Sequence, residues 1–350
     1  MSTLPDVKVG MIGVSGSGKT WFMTGMFATM CRGVHGFTLN SKKFQQGLRL
    51  NSIWKAMVEG GEKRNNPTSK EEDWRFDCCH AYRAILGFTL KDYRGGLLVG
   101  DSDEDDIDSL VNYLCECSCI FLMIPANMLN RNLPDYEDVQ FTALAITQIL
   151  TEYAGKNHKK CPIVLMITKS DKLIVPGDPK STERNFELAK RTLMEQVVEP
   201  LFVNNSDWPV FICPVSLGEE LNGDVLNGRI DPINIHLPML YAMSIALKQA
   251  IDIKKDEYNR LVNSASNAKR VASEYKSGNA VRRWWYSEEA ESADMSANQH
   301  MSNASGVKSE LERCESDYHL LVDTLSKGRN CYFYYNSTQN ISIEELLRRV

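Results

Sequence analysis

The run Gly13-Val14-Ser15-Gly16-Ser17-Gly18-Lys19-Thr20 has the residue types and spacing needed to hold phosphate. Glycines let a backbone turn sharply and bring its N–H groups close to phosphate oxygens. A helix starting at the end of the run adds its positive terminus. The Lys19 ammonium can reach the β and γ phosphates, and the Thr20 hydroxyl can ligate Mg2+. This pattern alone does not choose a base or a reaction. Two other clusters are less directive. Cys115, Cys117 and Cys119 would share one face of an extended strand, where three thiolates could bind a soft metal. No fourth ligand stands at zinc-like spacing, and buried small side chains are the plainer expectation. Arg282, Arg283, Trp284, Trp285 and Tyr286 form an aromatic-basic cluster in a polar stretch. It either packs on the body of the protein or meets a partner or membrane surface.

The elements that must position these residues are readable from the apolar pattern. Residues 6–12 read as a buried strand leading into the phosphate loop, and Thr20 to Arg32 as a helix with an apolar face. The segment 33–66 has helical spacing at Phe44, Leu48, Ile53, Trp54 and Met57, followed by a polar loop. The runs at 73–80 and 84–93 predict an antiparallel strand pair. Acidic residues at 101–108 suit the first turn of a helix or its solvated approach; a partner surface is the other reading. Continuous apolar runs at 118–125, 161–169 and 209–216 suit strands covered on both faces, and the stretches between them have helical spacing. This alternation predicts an α/β, doubly wound, mostly parallel sheet with one antiparallel edge pair.

After about residue 235 the texture changes. A spacing of seven links Ile251 to Tyr258, and spacings of three and four link Tyr258, Leu261, Ala265, Ala268, Ala272 and Tyr275, and again Val307, Leu311, Cys314, Tyr318, Leu321 and Leu325. This is the seam pattern of a coiled coil, predicting a helical hairpin with residues 277–306 as its tip or loop. The last 21 residues, 330–350, read as a strand and a short helix. The expected organisation is a nucleotide-binding domain over 1–250, with 33–66 as a helical and loop insertion, and a helical C-terminal region over 251–350.

Composition narrows the class. The 350 residues are 43% hydrophobic and 24% charged, with a formal net charge of −5. That balance is ordinary for a globular protein and gives no sign of a nucleic-acid partner. The first residues lack the pattern of a secretory signal, and no run approaches the ~18 to 20 apolar residues of a membrane span. The ten cysteines are scattered. Reduced thiols in a cytoplasmic protein are expected.

Further motifs supply a resemblance. Thr168-Lys169-Ser170-Asp171 at a strand end looks like the guanine-recognition motif Asn/Thr-Lys-x-Asp. A carboxylate there can accept from the ring N–H and the exocyclic amine of guanine, donors that adenine lacks. Asp92-Tyr93-Arg94-Gly95 matches Asp-x-x-Gly, also at a strand end, and Ser216 in "CPVSLG" resembles the short serine loop that meets guanine. With the Walker A phosphate loop, in this order, the chain resembles the Ras-like, TRAFAC-type P-loop GTPase domain over about residues 5–250. The layout is nearest to divergent bacterial GTPases. The resemblance implies GTP or GDP and Mg2+ as cofactors. It implies nucleotide contacts from Gly13, Ser15, Gly16, Ser17, Gly18, Lys19, Thr20, Trp21, Gly95, Thr168, Lys169, Asp171, Ser216 and Leu217. It implies metal ligands at Thr20, Asp92 and a first-switch threonine, for which Thr68 is the choice and Ser69 the rival. Lys19, Thr68, Arg94 and Gly95 would serve catalysis.

The chain departs from the pattern at Gly96, where Ras has the glutamine that positions water. Intrinsic hydrolysis is therefore expected to be slow or stimulated by a partner. Arg94 either stabilises charge in cis or faces solvent. Molecular switch is the leading expectation, with a protein effector or self-association through the helical tail. GTP-driven assembly is the alternative. A small-molecule kinase is disfavoured by the guanine motif at a strand end.

Overall fold

The structure is a computed structural model that describes residues 6–59, 72–92, 104–131, 133–157, 160–218, 231–277 and 279–350. Eight strands form one sheet: β1 (Asp6–Gly13), β2 (Phe37–Ser41), β3 (Glu72–His80), β4 (Arg83–Asp92), β5 (Cys119–Pro125), β6 (Ile163–Thr168), β7 (Pro209–Pro214) and β8 (Tyr332–Tyr335). Their order is β2-β3-β4-β1-β5-β6-β7-β8. The pairs β4–β1, β1–β5, β5–β6 and β6–β7 are parallel; β2–β3, β3–β4 and β7–β8 are antiparallel. The doubly wound, mostly parallel sheet expected from the sequence is thus present.

The three continuous apolar runs become β5, β6 and β7, each buried at every position. Period-two alternation divides their side chains between two layers. Ile120, Leu122, Ile124, Ile163, Leu165, Ile167, Val210 and Ile212 share one core with α3 (Glu104–Cys115), α4 (Val139–Lys156) and α5 (Pro179–Thr192). On the alternate positions, Phe121 meets Phe22 of α1 (Lys19–Met30) at 6.2 Å, and Phe211 stacks on Phe333 at 4.7 Å and packs by Tyr241 at 5.0 Å.

The strand pair predicted at 73–93 is present, with Phe76 opposite Phe88. Its two-residue turn uses Ala81 (φ 48°) and Tyr82 (φ 62°). Both lie in the left-handed region that this hairpin turn requires, although neither is the usual glycine or asparagine. Residues 33–66, expected as helix and loop, contain α2 (Phe44–Glu59) but also β2, which pairs Leu39 with Cys78. Five residues, Phe-Thr-Leu-Asn-Ser, are too few to outweigh the helical spacing that follows. The three-cysteine run is also not a strand face. Cys115 ends α3, the amide of Cys117 donates to Leu114 O at 3.0 Å in a turn, and Cys119 opens β5. Burial pushes the Cys117 thiol up to about 12. No group of three or more metal-ligating residues occurs among the described residues.

The chain forms two compact units, Met1–Met243 with Leu321–Val350, and Ser244–Leu320. The last strand and α9 (Ile343–Arg349) belong to the first unit. The second unit consists of most of α6 (Leu237–Lys276), α7 (Ala280–Trp285) and most of α8 (Ser287–Ser326). The two long helices run antiparallel: Lys254 pairs with Glu310, Lys255 with Glu315 at 2.9 Å, and Lys276 with Asp294. Small side chains fill the contact. Ala265 and Ala272 of α6 are buried, as are Ala290, Ala297, Ala304 and Leu311 of α8, one every seven residues. Helix therefore replaces most of the tip or loop expected over 277–306. Alanine is the best helix former but adds little to an apolar pattern, so its seven-residue rhythm was masked by the serines and acids around it.

Candidate functional site

The phosphate-type loop turns at the carboxyl end of β1. Gly16 (φ 75°) and Gly18 (φ 92°) lie in the left-handed region, and Gly18 is the N-cap of α1 with no side-chain cap. The first amides of α1 therefore keep the unsatisfied, positively polarised character of a helix start. Gly13 is required by space, since a Cβ there would lie 2.5 Å from Ser17 Oγ and 2.7 Å from Met123 O. Lys19, only 8% exposed, donates from Nζ to Gly13 O at 2.7 Å and Val14 O at 3.3 Å. Its ammonium is thus wrapped by the loop it follows. Ser15 and Gly16 are exposed at the mouth. Ser17 is fully buried, and its hydroxyl has no hydrogen-bond partner among the described residues. Thr20 accepts from the Thr24 hydroxyl through its carbonyl at 2.7 Å, and Trp21 meets Trp54 edge-on at 6.4 Å.

A second loop leaves the carboxyl end of β6. The Thr168 hydroxyl donates to Ser17 O at 2.7 Å and joins this loop to the first. Lys169 follows in a left-handed conformation (φ 54°), which turns the chain sharply into the 3₁₀ segment Ser170–Leu173. Burial, with a contribution from Lys172, lowers the pKa of the Lys169 ammonium; Asp135 and Asp171 oppose that shift. Asp171 Oδ1 accepts from the Ser216 hydroxyl at 2.7 Å, just past β7. Ser216 is held in turn by backbone bonds with Ile233 at 3.2 and 2.9 Å, and its Oγ accepts from the Gly218 amide at 3.1 Å. Leu217 fills the space above Gly25 of α1, where a Cβ would lie 2.4 Å from Leu217 Cδ2.

Three loops from β1, β6 and β7 are therefore fastened together at the carboxyl edge of the parallel strands. Ligands of open α/β sheets bind at this edge, near the point where strand order reverses. Here β1 has β4 on one side and β5 on the other. The arrangement unites a turn able to cradle phosphate, a cation, a helix N-terminus, and a carboxylate oriented by a serine. Thr20 supplies a hydroxyl suited to a hard divalent cation. Asp92 ends β4 with its backbone paired beside Met11, two residues before Gly13. Its side chain lies outside the described residues, as do Thr68, Ser69, Arg94, Gly95 and Gly96.

Two site residues went unnoticed in the sequence. Asn127, just past β5, is buried and donates from Nδ2 to Asp135, while its Oδ1 has no partner among the described residues. Asp135 also acts electrostatically on Lys169. The only sequence signal was an asparagine directly after an apolar strand.

No family model matches the sequence, and no curated protein matches it. Among solved structures, the chain is similar to the signal recognition particle receptor SRb-GTP/SRX complex from Chaetomium thermophilum, at 14% identity and a TM-score of 0.35, covering 64% of this chain and 94% of that one. It is similar to the GTP-bound Ski7 GTPase-like domain of S. cerevisiae at 14% identity and a TM-score of 0.35, covering 64% of this chain and 46% of that one. It is also similar to translation elongation factor SelB from Methanococcus maripaludis with the GTP analogue GPPNHP, at 15% identity and a TM-score of 0.29, covering 62% of this chain and 31% of that one.

Proposed function

We propose that this chain is a GTP-binding protein that hydrolyses GTP with Mg2+ and acts as a switch in the cytoplasm, with its helical pair engaging an effector or a second copy. The observation that carries the reading is the fastening of Thr168 to Ser17 and of Ser216 to Asp171. It brings a carboxylate suited to guanine to the same sheet edge as a loop suited to phosphate. Asp171 would accept from the two guanine donors, with Ser216 fixing its orientation and the stem of Lys169 covering the base. Amides from Ser15 to Trp21 and the Lys19 ammonium would surround the phosphates. Thr20, Asp92 and Thr68 would hold Mg2+, which would supply positive charge against the phosphates. The Gly95 amide would sense the γ phosphate.

Calorimetric titration with GTP, GDP and ATP tests the base assignment. Wild type is expected to prefer the guanine nucleotides, and Asp171→Asn to lose about 100-fold or more in GTP affinity while gaining affinity for xanthine nucleotide. Stronger binding of ATP by the wild type would end this reading. Since Gly96 has no side chain with which to orient water, single-turnover hydrolysis by the purified chain is expected to be slow. Many turnovers per second without a partner would contradict that expectation.

A further inference from the structure

The turn between the two long helices presents a concentrated chemistry that nucleotide binding does not use. From Lys276 to Ser287 the sequence contains Lys276, Arg282 and Arg283 but no acidic residue, in a chain of net charge −5. The turn is built from α7, six residues long. Trp284 is 74% exposed and Trp285 70%, with their rings edge-to-face at 6.1 Å, and Val281 beside them is exposed as well. Tyr286 stacks on Tyr275 of α6 at 5.3 Å with the rings 13° from parallel. That stack holds the end of the turn against α6, while both indoles stay exposed.

Isolated exposed apolar residues are normal on a protein surface, but Val281, Trp284 and Trp285 exposed together on one six-residue helix mark a contact site. Its size and charge indicate what it contacts. A stable protein interface buries about 800 Å² on each side and draws on roughly 20–30 residues. One six-residue turn offers far less. A lipid interface has no such minimum: indole rings settle at headgroup depth one at a time, and each cation near an anionic leaflet adds its own attraction. The acids that follow are placed to limit depth. Glu288 and Glu289 occupy the first turn of α8, where the helix dipole favours them, and line a lateral groove with Tyr275 and Ser292. Lys276 and Asp294 pair close behind. This charged ring would remain in water while the tip alone enters. We infer that the Val281–Tyr286 turn inserts Trp284 and Trp285 into the headgroup region of an anionic bilayer, with Arg283 against the lipid charge.

Flotation of the full chain with vesicles decides the matter. The wild type is expected to float with phosphatidylcholine vesicles containing about 30% phosphatidylserine and to stay below with phosphatidylcholine alone. Trp284→Ser/Trp285→Ser should lower the bound fraction roughly tenfold, and Arg283→Glu should do the same. Circular dichroism and nucleotide titration should be unchanged in both variants, which separates loss of contact from loss of fold. The proposal is overturned if the wild type does not float with the anionic vesicles. Equal flotation of wild type and the tryptophan variant overturns it too. So does light scattering that shows the tryptophans joining two copies of the chain instead.

Discussion

The sheet and the helix pair solve the problem of burial in opposite ways. The sheet unit fills both layers with large residues: Tyr153, Phe202 and Trp208 lie in the core shared with α3, α4 and α5, and Phe37, Phe76, Phe88, Phe121, Phe211 and Tyr241 are fully buried outside it. The helix pair brings its backbones together over Ala265, Ala272, Ala290, Ala297 and Ala304 and places its ion pairs at the flanks. Large interlocking side chains leave few alternative packings, which gives the fastened loops after β1, β6 and β7 a firm base. Alanine contacts bury little area each. The helix pair must instead rely on length, helix propensity and a repeat shared by both partners.

This contrast can be broken at graded positions. Phe211→Ala removes a ring stacked on Phe333 and packed by Tyr241, and should cost about 3–5 kcal/mol in urea unfolding monitored by near-UV dichroism. A cost below 1 kcal/mol would mean that the aromatic layer is not the source of rigidity. Ala297→Leu forces a larger side chain into the alanine contact and should cost about 1–3 kcal/mol. Hydrogen exchange should place that loss within 244–320, with the sheet unit unaffected; a loss spread equally over both units would erase the distinction. Lys254→Ala removes a flanking ion pair to Glu310 and should change stability by less than about 1 kcal/mol, less still at high salt. A larger effect would shift the stability of the helix pair from its seam to its flanks.

The same contrast governs how much could be read from the sequence. The strands β5, β6 and β7 were legible because a strand buried on both faces must be apolar throughout. The positions of the glycine loop and the Thr168–Asp171 segment at strand ends were legible because each follows an apolar run that must be a strand. The strand β2 was missed because five residues of ordinary composition carry less signal than the sixteen-residue α2 beside them. The first half of α8 was missed because alanine scarcely registers in a pattern of large apolar residues. Asn127 and Asp135 lay outside any fixed spacing, since only the fold pairs them and brings Asp135 near Lys169. The cysteine run misled because alternation was assumed across a point where a helix ends and a strand begins.

The position of β8 bears on the order of folding. Cys331, next to β8, lies against Cys213 of β7 with the sulfurs 3.9 Å apart, although 118 positions separate them in the chain. An open coil of that length would find its partner slowly, because distant contacts repay their closure entropy only once they form. Two antiparallel helices of 40 residues each return the chain to nearly the point it left. Helices zip locally and fast, so the hairpin converts a remote pairing into a near one. During synthesis, β7 must wait for the whole hairpin to emerge before its open edge is sealed. Until then the loop carrying Ser216 hangs from an edge strand, and the Asp171–Ser216 side of the candidate site would be the last part of the sheet to acquire its final neighbours.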